Sequence, residues 1–341
     1  MQKFERVIAA IEHKETDFTP YHIGFTKQAH EKVANYLGDP DFEGGLGSHV
    51  ELVRTDGPDL AKEVSTDMFR DEFGVMWDRS GVDKDIGVIS GLVFEEPDIS
   101  QLDILPMPDE PAARDLIDKL LNNGKDTFKA GAFSLPLYER AWSARGMDNL
   151  LTDMLTEPEF VHALFDKILE YNMRLLDIYL EYDGLHAIYI GDDWGSQRGL
   201  IMGPKLWREF IKPRIAAMFD RIKASGKYVI LHSCGDNWEL FPELIEMGLD
   251  VYNTYQPEIY KKYPFKEEFG KDLAVWGGIS TQELLPFATT EVVKSETARM
   301  IRELGKGGGY IAAPTHWMPG DIPAENIMAM AEVMQNQEKY V

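Results

Sequence analysis

From about residue 128 onward, short runs rich in β-branched and aromatic residues alternate with long helical patterns. A chain patterned in this way must bury parallel strands beneath crossover helices. The strand-like runs lie at 128–133, 185–190, 227–231, 251–255, 273–276 and 309–313, with helical stretches near 148–182, 203–225, 237–247, 259–269, 288–304 and 323–338. Glu157-Pro158 and Gly203-Pro204 read as helix starts, because proline in a first turn gives up no hydrogen bond. Two further runs near 19–23 and 66–69 bring the strand count to eight, the number that closes a barrel.

The expected fold is therefore α/β, a (β/α)8 TIM barrel with an N-terminal helical extension. A β-hairpin is expected as an insertion at about 71–105, where Gly74, Gly81, Gly87 and Gly91 punctuate alternating residues. A doubly wound open sheet would produce the same alternation, but the chain has no G-x-G-x-x-G turn to support one. No repeat, low-complexity tract or proline-rich linker divides the sequence, so residues 1–341 are read as a single domain.

The charge balance narrows the range of partners. With 58 acidic against 35 basic residues the net charge is -23, which argues against nucleic acid and anionic membrane surfaces as partners. Cys234 is the only cysteine, so no intramolecular disulfide can form and a reducing compartment fits best. The N-terminal residues run into an amphipathic helix rather than a signal peptide, and no apolar run reaches the roughly 18 residues of a membrane span. A cytoplasmic location is expected.

In a barrel the C-terminal ends of strands face a common pocket, so polar clusters directly after apolar runs are where chemistry is sought. His232-Ser233-Cys234-Gly235 follows one such run, Gly191-Asp192-Asp193-Trp194 another, Gln256-Pro257-Glu258 a third and Pro314-Thr315-His316 a fourth. Residues two apart at a strand end point the same way, so the His232 imidazole and the Cys234 thiol could reach one ion, half of a zinc site. His316 is the candidate third ligand, with Asp192, Asp193 or Glu139 as oxygen donors in its stead. The other reading is a hydrogen-bonded histidine beside an ordinary buried cysteine.

Asp192 and Asp193 suit general acid/base work or substrate anchoring if a dry pocket moves their pKa values, and equally suit the capping of a turn. Glu139 joins them as a catalytic candidate. His22, Trp194, Tyr255 and Gln256 are the candidate substrate contacts, the aromatic rings suiting an apolar or aromatic compound.

The run His232-Ser233-Cys234-Gly235-Asp236-Asn237-Trp238-Glu239, with Gln256-Pro257, Trp276-Gly277-Gly278-Ile279 and Pro323-Ala324-Glu325-Asn326-Ile327, resembles the uroporphyrinogen decarboxylase-like superfamily. Arg6-Val7-Ile8-Ala9-Ala10 with Thr19-Pro20 extends the resemblance to the N-terminal region. It implies a barrel with its pocket at the strand C-termini and offers two chemistries. In the decarboxylases an N-terminal arginine segment meets a carboxylated tetrapyrrole without a cofactor. Here that place holds Tyr21-His22-Ile23-Gly24-Phe25-Thr26-Lys27-Gln28, which contains no arginine.

In the corrinoid-linked methyltransferases an H-x-C motif and a later cysteine bind zinc. His232 and Cys234 match the first two ligands, and Ala313-Pro314-Thr315-His316 stands where the later cysteine is expected, so imidazole would replace sulfur. This branch implies methyl transfer between a small methylated or methoxylated compound, or a thiol, and a corrinoid carried by a partner protein. O-demethylation is one form of it. The resemblance also leaves room for a homodimer, and a metal-free decarboxylase acting on a different carboxylated substrate is the alternative.

Overall fold

The computed structural model describes residues 1–81, 84–261 and 264–341. By its own contacts the chain divides into two compact units. One comprises Met1–Glu51, Lys125–Phe128 and Asp250–Val341, and the other Leu52–Gly124 and Lys129–Leu249.

The parallel strands that fall wholly or mostly in the second unit run in the order β1–β6–β7–β10. These are β1 (Val50–Arg54), β6 (Phe128–Phe133), β7 (Ala187–Gly191) and β10 (Tyr228–His232). Every residue of β6 and β7 is buried, as expected of strands covered on both faces. Gly131 in β6 leaves room for the Tyr179 ring, which an added Cβ would meet at 2.6 Å. That ring belongs to the helix Pro158–Leu180, which opens on proline and buries Leu164, Phe165, Ile168, Leu175 and Leu176 along one face.

The inserted segment departs from expectation. Residues 66–69 do not form a barrel strand. They lie within a four-stranded antiparallel sheet of β2 (Lys62–Ser65), β3 (Met68–Arg70), β4 (Met76–Asp78) and β5 (Val88–Ile89). The hairpin expected at 71–105 is present as the β4–β5 pair, making half of that sheet; Val82 and Asp83 within it lie outside the described residues. The parallel strand sits instead at β1, whose apolar pattern is interrupted by Glu51 and Arg54. Glu51 accepts from Lys125 Nζ at 2.8 Å and from the Thr127 hydroxyl, so its charge is matched without breaking the strand.

In the first unit β11 (Val251–Tyr255), β12 (Ala274–Ile279) and β13 (Tyr310–Pro314) pair in parallel and in that order. The expected strand at 19–23 is reduced to a parallel bridge from Tyr21 to Ala312. His22 N–H donates to Ala312 O, and Ala312 N–H to Pro20 O, both at 2.9 Å. Pro20 cannot donate, which limits this ladder. The helices Lys3–Ile11, Thr290–Gly305 and Ala324–Gln335 cover the unit.

His49 is a liability of this unit. It is 3% exposed, its ring packs edge-on to Tyr21 at 4.7 Å, and neither ring nitrogen has a hydrogen-bond partner. Burial, reinforced by the charges of Lys3 and Arg6, pushes its pKa down to about 4. The unfolded chain takes up a proton near the ordinary histidine value of about 6.5 while the folded chain stays neutral, so stability falls as pH drops from there toward about 4. His49→Phe is expected to flatten the pH dependence of the urea midpoint over this window, recovering on the order of 2–3 kcal/mol at its acid end.

Candidate metal centre and its carboxylates

Three donors meet at the ends of β7 and β10 in the second unit. His232 closes β10, and its Nε2 lies 3.6 Å from Cys234 Sγ and 3.6 Å from Asp193 Oδ1. The Cys234 backbone N–H donates to the same Asp193 oxygen at 2.8 Å, and the His232 ring stacks on Tyr189 with centroids 5.9 Å apart. Burial first, then the nearby Asp193 charge, raises the Cys234 thiol well above its ordinary range. Such a thiol stays protonated unless a cation takes the place of its proton, and a divalent ion does that. An imidazole with a thiol and a carboxylate each 3.6 Å from its Nε2 forms a donor set suited to zinc.

The loop carrying the thiol is locked from several sides. Asn237 Nδ2 donates to Ser233 Oγ at 3.2 Å and Cys234 O at 3.1 Å, and Trp194 N–H donates to Ser233 Oγ at 3.0 Å. Gly235 sits at φ +83, and a Cβ there would lie 2.1 Å from the carbonyl carbon of Gly195. Only glycine allows the backbones after β7 and β10 to approach so closely.

Asp192 and Asp193 take different directions. Asp192 is fully buried and both its oxygens are occupied: Oδ2 accepts from Tyr138 N–H at 3.0 Å and the Trp194 indole N–H at 2.6 Å, and Oδ1 accepts from Glu139 N–H at 2.9 Å. It caps the helix Tyr138–Arg145 and thereby fixes where Glu139 stands. Burial raises its pKa to about 6 against the opposing pull of these three hydrogen bonds. Glu139 is raised well above the usual carboxylate range by burial first and then by the charges of Asp193 and Asp192, so it is held protonated.

The next residue, Arg140, does not pair with Glu139. It is 1% exposed, bonds Asp71 at 2.5 Å and Glu72 at 3.1 Å, and stacks over the Phe73 ring at 4.2 Å. Asp71 in turn accepts the N–H groups of Phe73, Val75 and the Trp77 indole. The inserted segment is thus clamped to the helix that carries Glu139.

The remaining candidates are placed as follows. Trp194 is 0% exposed and packs edge-on to Trp207 at 5.4 Å, so its ring belongs to the core and it acts through its bond to Asp192. In the first unit His22 packs edge-on to Trp276 at 5.2 Å, and Tyr255 packs against Tyr260 and Phe265, both at 5.6 Å. Gln256 is buried, its carbonyl accepting from Ile259 and Tyr260. His316 follows β13 and is exposed, with Nδ1 3.3 Å from Trp317 O.

Tyr189 and Arg54 were missed from the sequence. Arg54 ends β1 close enough to Tyr189 and Asp56 for its charge to act on both. A strand assignment at 50–54 would have found it. Tyr189 could have been found from β7 itself, where it stands two residues before Gly191.

The family model described as uroporphyrinogen decarboxylase (URO-D) matches residues 112–337, well over half of the chain, and the chain belongs to that family. Among its relatives, a methylated-thiol–coenzyme M methyltransferase of Methanosarcina mazei is 24% identical over 54% of this chain; the match spans 47% of that protein, about half its length. Uroporphyrinogen decarboxylases are also similar. That of Alkalilimnicola ehrlichii is 24% identical over 97% of this chain and 93% of its own, and that of Coxiella burnetii 22% identical over 76% and 73%. A solved methyltransferase from Methanosarcina mazei superposes with a TM-score of 0.74 at 17% identity, covering 99% of both chains. This likeness shows the fold, the α/β class of (β/α)8-barrel type expected from the sequence. No helix among the described residues is long and apolar enough to cross a membrane.

Two measurements test these carboxylates. Asp192→Asn puts an amide N–H against N–H donors and is expected to lower the urea-derived stability by about 1–3 kcal/mol. Glu139 ionises in the unfolded chain before the folded one, so stability of the metal-free protein falls as pH rises from about 4.3 through the raised folded value. Glu139→Gln is therefore expected to raise the Tm of the metal-free protein at pH 7 and to leave it nearly unchanged at pH 4.

Proposed function

We propose that this protein is a zinc-dependent methyltransferase that moves a methyl group between a small methylated or methoxylated compound, or a thiol, and a corrinoid carried by a separate protein. The observation that carries this reading is the gathering of His232 Nε2, Cys234 Sγ and Asp193 Oδ1 at the ends of β7 and β10. Similarity to a methyltransferase that, by its name, acts on a methylated thiol and coenzyme M supports it. In this reading His232, Cys234 and His316 hold the metal, and Asp193 stands beside the imidazole as a further oxygen donor. Zinc there would supply Lewis acidity, lowering the pKa of a thiol or stabilising the oxyanion left when a methyl group departs.

The chain's own groups have complementary tasks. Glu139, held protonated, supplies a proton to the oxygen or sulfur that loses its methyl; in the opposite direction it is the carboxylate form that takes the proton of a thiol gaining a methyl. Asp192 positions Glu139 by capping its helix, and Trp194 steadies Asp192. His22, Tyr255 and Gln256 are kept as substrate contacts. A homodimer and a cytoplasmic setting complete the proposal.

The second reading, a metal-free decarboxylase, draws on the nearly full-length similarity to uroporphyrinogen decarboxylases. The arginine-free segment at 21–28 weighs against a polycarboxylated tetrapyrrole. Elemental analysis decides between the two: the methyltransferase reading expects about one zinc per chain, lost in His232→Ala and Cys234→Ala. Methyl transfer to a reduced corrinoid protein, assayed across methoxylated aromatics and methylamines, is expected to disappear with the metal. Full activity after chelation, or carbon dioxide release without metal, would sink it.

A further inference from the structure

A cavity of about 360 Å³ lies wholly within the first unit and is lined by none of the residues assigned above. Its walls are the turns that follow β11 and β12 and one face of the helix Thr290–Gly305. The volume falls in the range of small-molecule sites, about 300–1,000 Å³.

The polar wall has a defined hydrogen-bond pattern. Ser280 Oγ accepts the N–H groups of Gln282, Glu283 and Leu284 at 3.2, 2.8 and 3.2 Å, and its hydroxyl donates to Glu258 Oε1. Ser280 has then given its only proton. The second carboxylate oxygen, Glu258 Oε2, is buried and has no hydrogen-bond partner. A carboxylate oxygen shut off from water without a donor is unfavourable. Glu258 itself lines the cavity.

Among the described residues that line the cavity, none donates a hydrogen bond to that oxygen. Arg299 is engaged by Glu296 at 2.7 Å and Glu303 at 2.6 Å, which neutralises its charge locally. Among the described lining residues Lys261 and Arg299 face Glu258, Glu283 and Glu296, an excess of negative charge. The rest of the wall is apolar, with Leu284, Met300 and Phe287, whose side chain is 82% exposed. An anion would meet carboxylates, and a neutral hydrocarbon would leave the Glu258 oxygen without a donor.

We propose that this cavity binds a small organic ammonium ion, whose N–H groups pair with Glu258 while its hydrocarbon part rests on Phe287, Leu284 and Met300. The exposed ring adds a face on which a cation is attracted. The site is independent of the metal centre, so neither proposal depends on the other.

Calorimetric titration of the full chain with benzylamine tests this, with benzyl alcohol and benzoate as neutral and anionic counterparts of the same shape. Saturable binding of benzylamine is expected, with both counterparts weaker by about tenfold or more. Glu258→Gln keeps an oxygen for Ser280 and is expected to lower benzylamine affinity by about tenfold. Phe287→Ser, at an exposed position where folding is not at stake, should weaken it several-fold. Absence of saturable binding, equal binding of benzyl alcohol, or affinity unchanged in both variants overturns the proposal. If Glu258→Gln fails to fold by circular dichroism, the comparison of ligands on the unaltered chain and the Phe287→Ser titration decide it.

Discussion

The candidate site hangs on one buried carboxylate. Asp192 has no exposure to water, and three N–H groups from two chain segments converge on it. Hydrogen bonds to a charged acceptor are stronger than neutral ones, and an unpaired charge at this depth would be costly. The start of the Tyr138–Arg145 helix, the Trp194 indole and the strand end that leads to Asp193 are therefore fixed as one unit. Glu139 and Asp193 owe their places to a fully buried residue whose two oxygens are both already engaged.

Negative charge is concentrated around the thiol. Burial, then the charges of Asp193 and Asp192, raises the cost of ionising Glu139, and burial with the charges of Asp193 and Glu139 does the same for the thiol. In a metal-free protein Glu139 and the thiol hold their protons, whereas a cation among the donors reverses the balance for each group it touches. This links the chemistry of the site to its electrostatics. On the function proposed above, the same arrangement that makes a metal-free centre reluctant to ionise would favour a divalent ion.

The sequence disclosed this site unevenly, for physical reasons. His232 and Cys234 stood out as candidates because an apolar run ends directly at them, and residues two apart at a strand end point the same way. The tasks of Asp192 and Asp193 were not legible, since neighbours at a strand end point apart and nothing local says which is capped. Trp194 looked like a substrate ring, yet aromatic residues near a barrel top pack as readily as they bind, and this one rests on Trp207. The strand at Val50–Arg54 was hidden by charges that find partners only in three dimensions, while 66–69 had an equally good pattern and joined the antiparallel insertion. Helix starts at Pro158 and Pro204 were readable because proline's missing N–H acts locally.

The Arg140–Asp71 clamp carries an implication for how this chain can diverge. The inserted sheet resembles an accessory that could be trimmed or exchanged, as peripheral loops of barrels often are. Its removal, however, would deprive a guanidinium deep in the protein, one residue from Glu139, of both carboxylates that it bonds. Any shortened or grafted version must therefore bring its own carboxylate to the same spot or replace the arginine in the same step. The insertion and the helix beneath it are bound to change together.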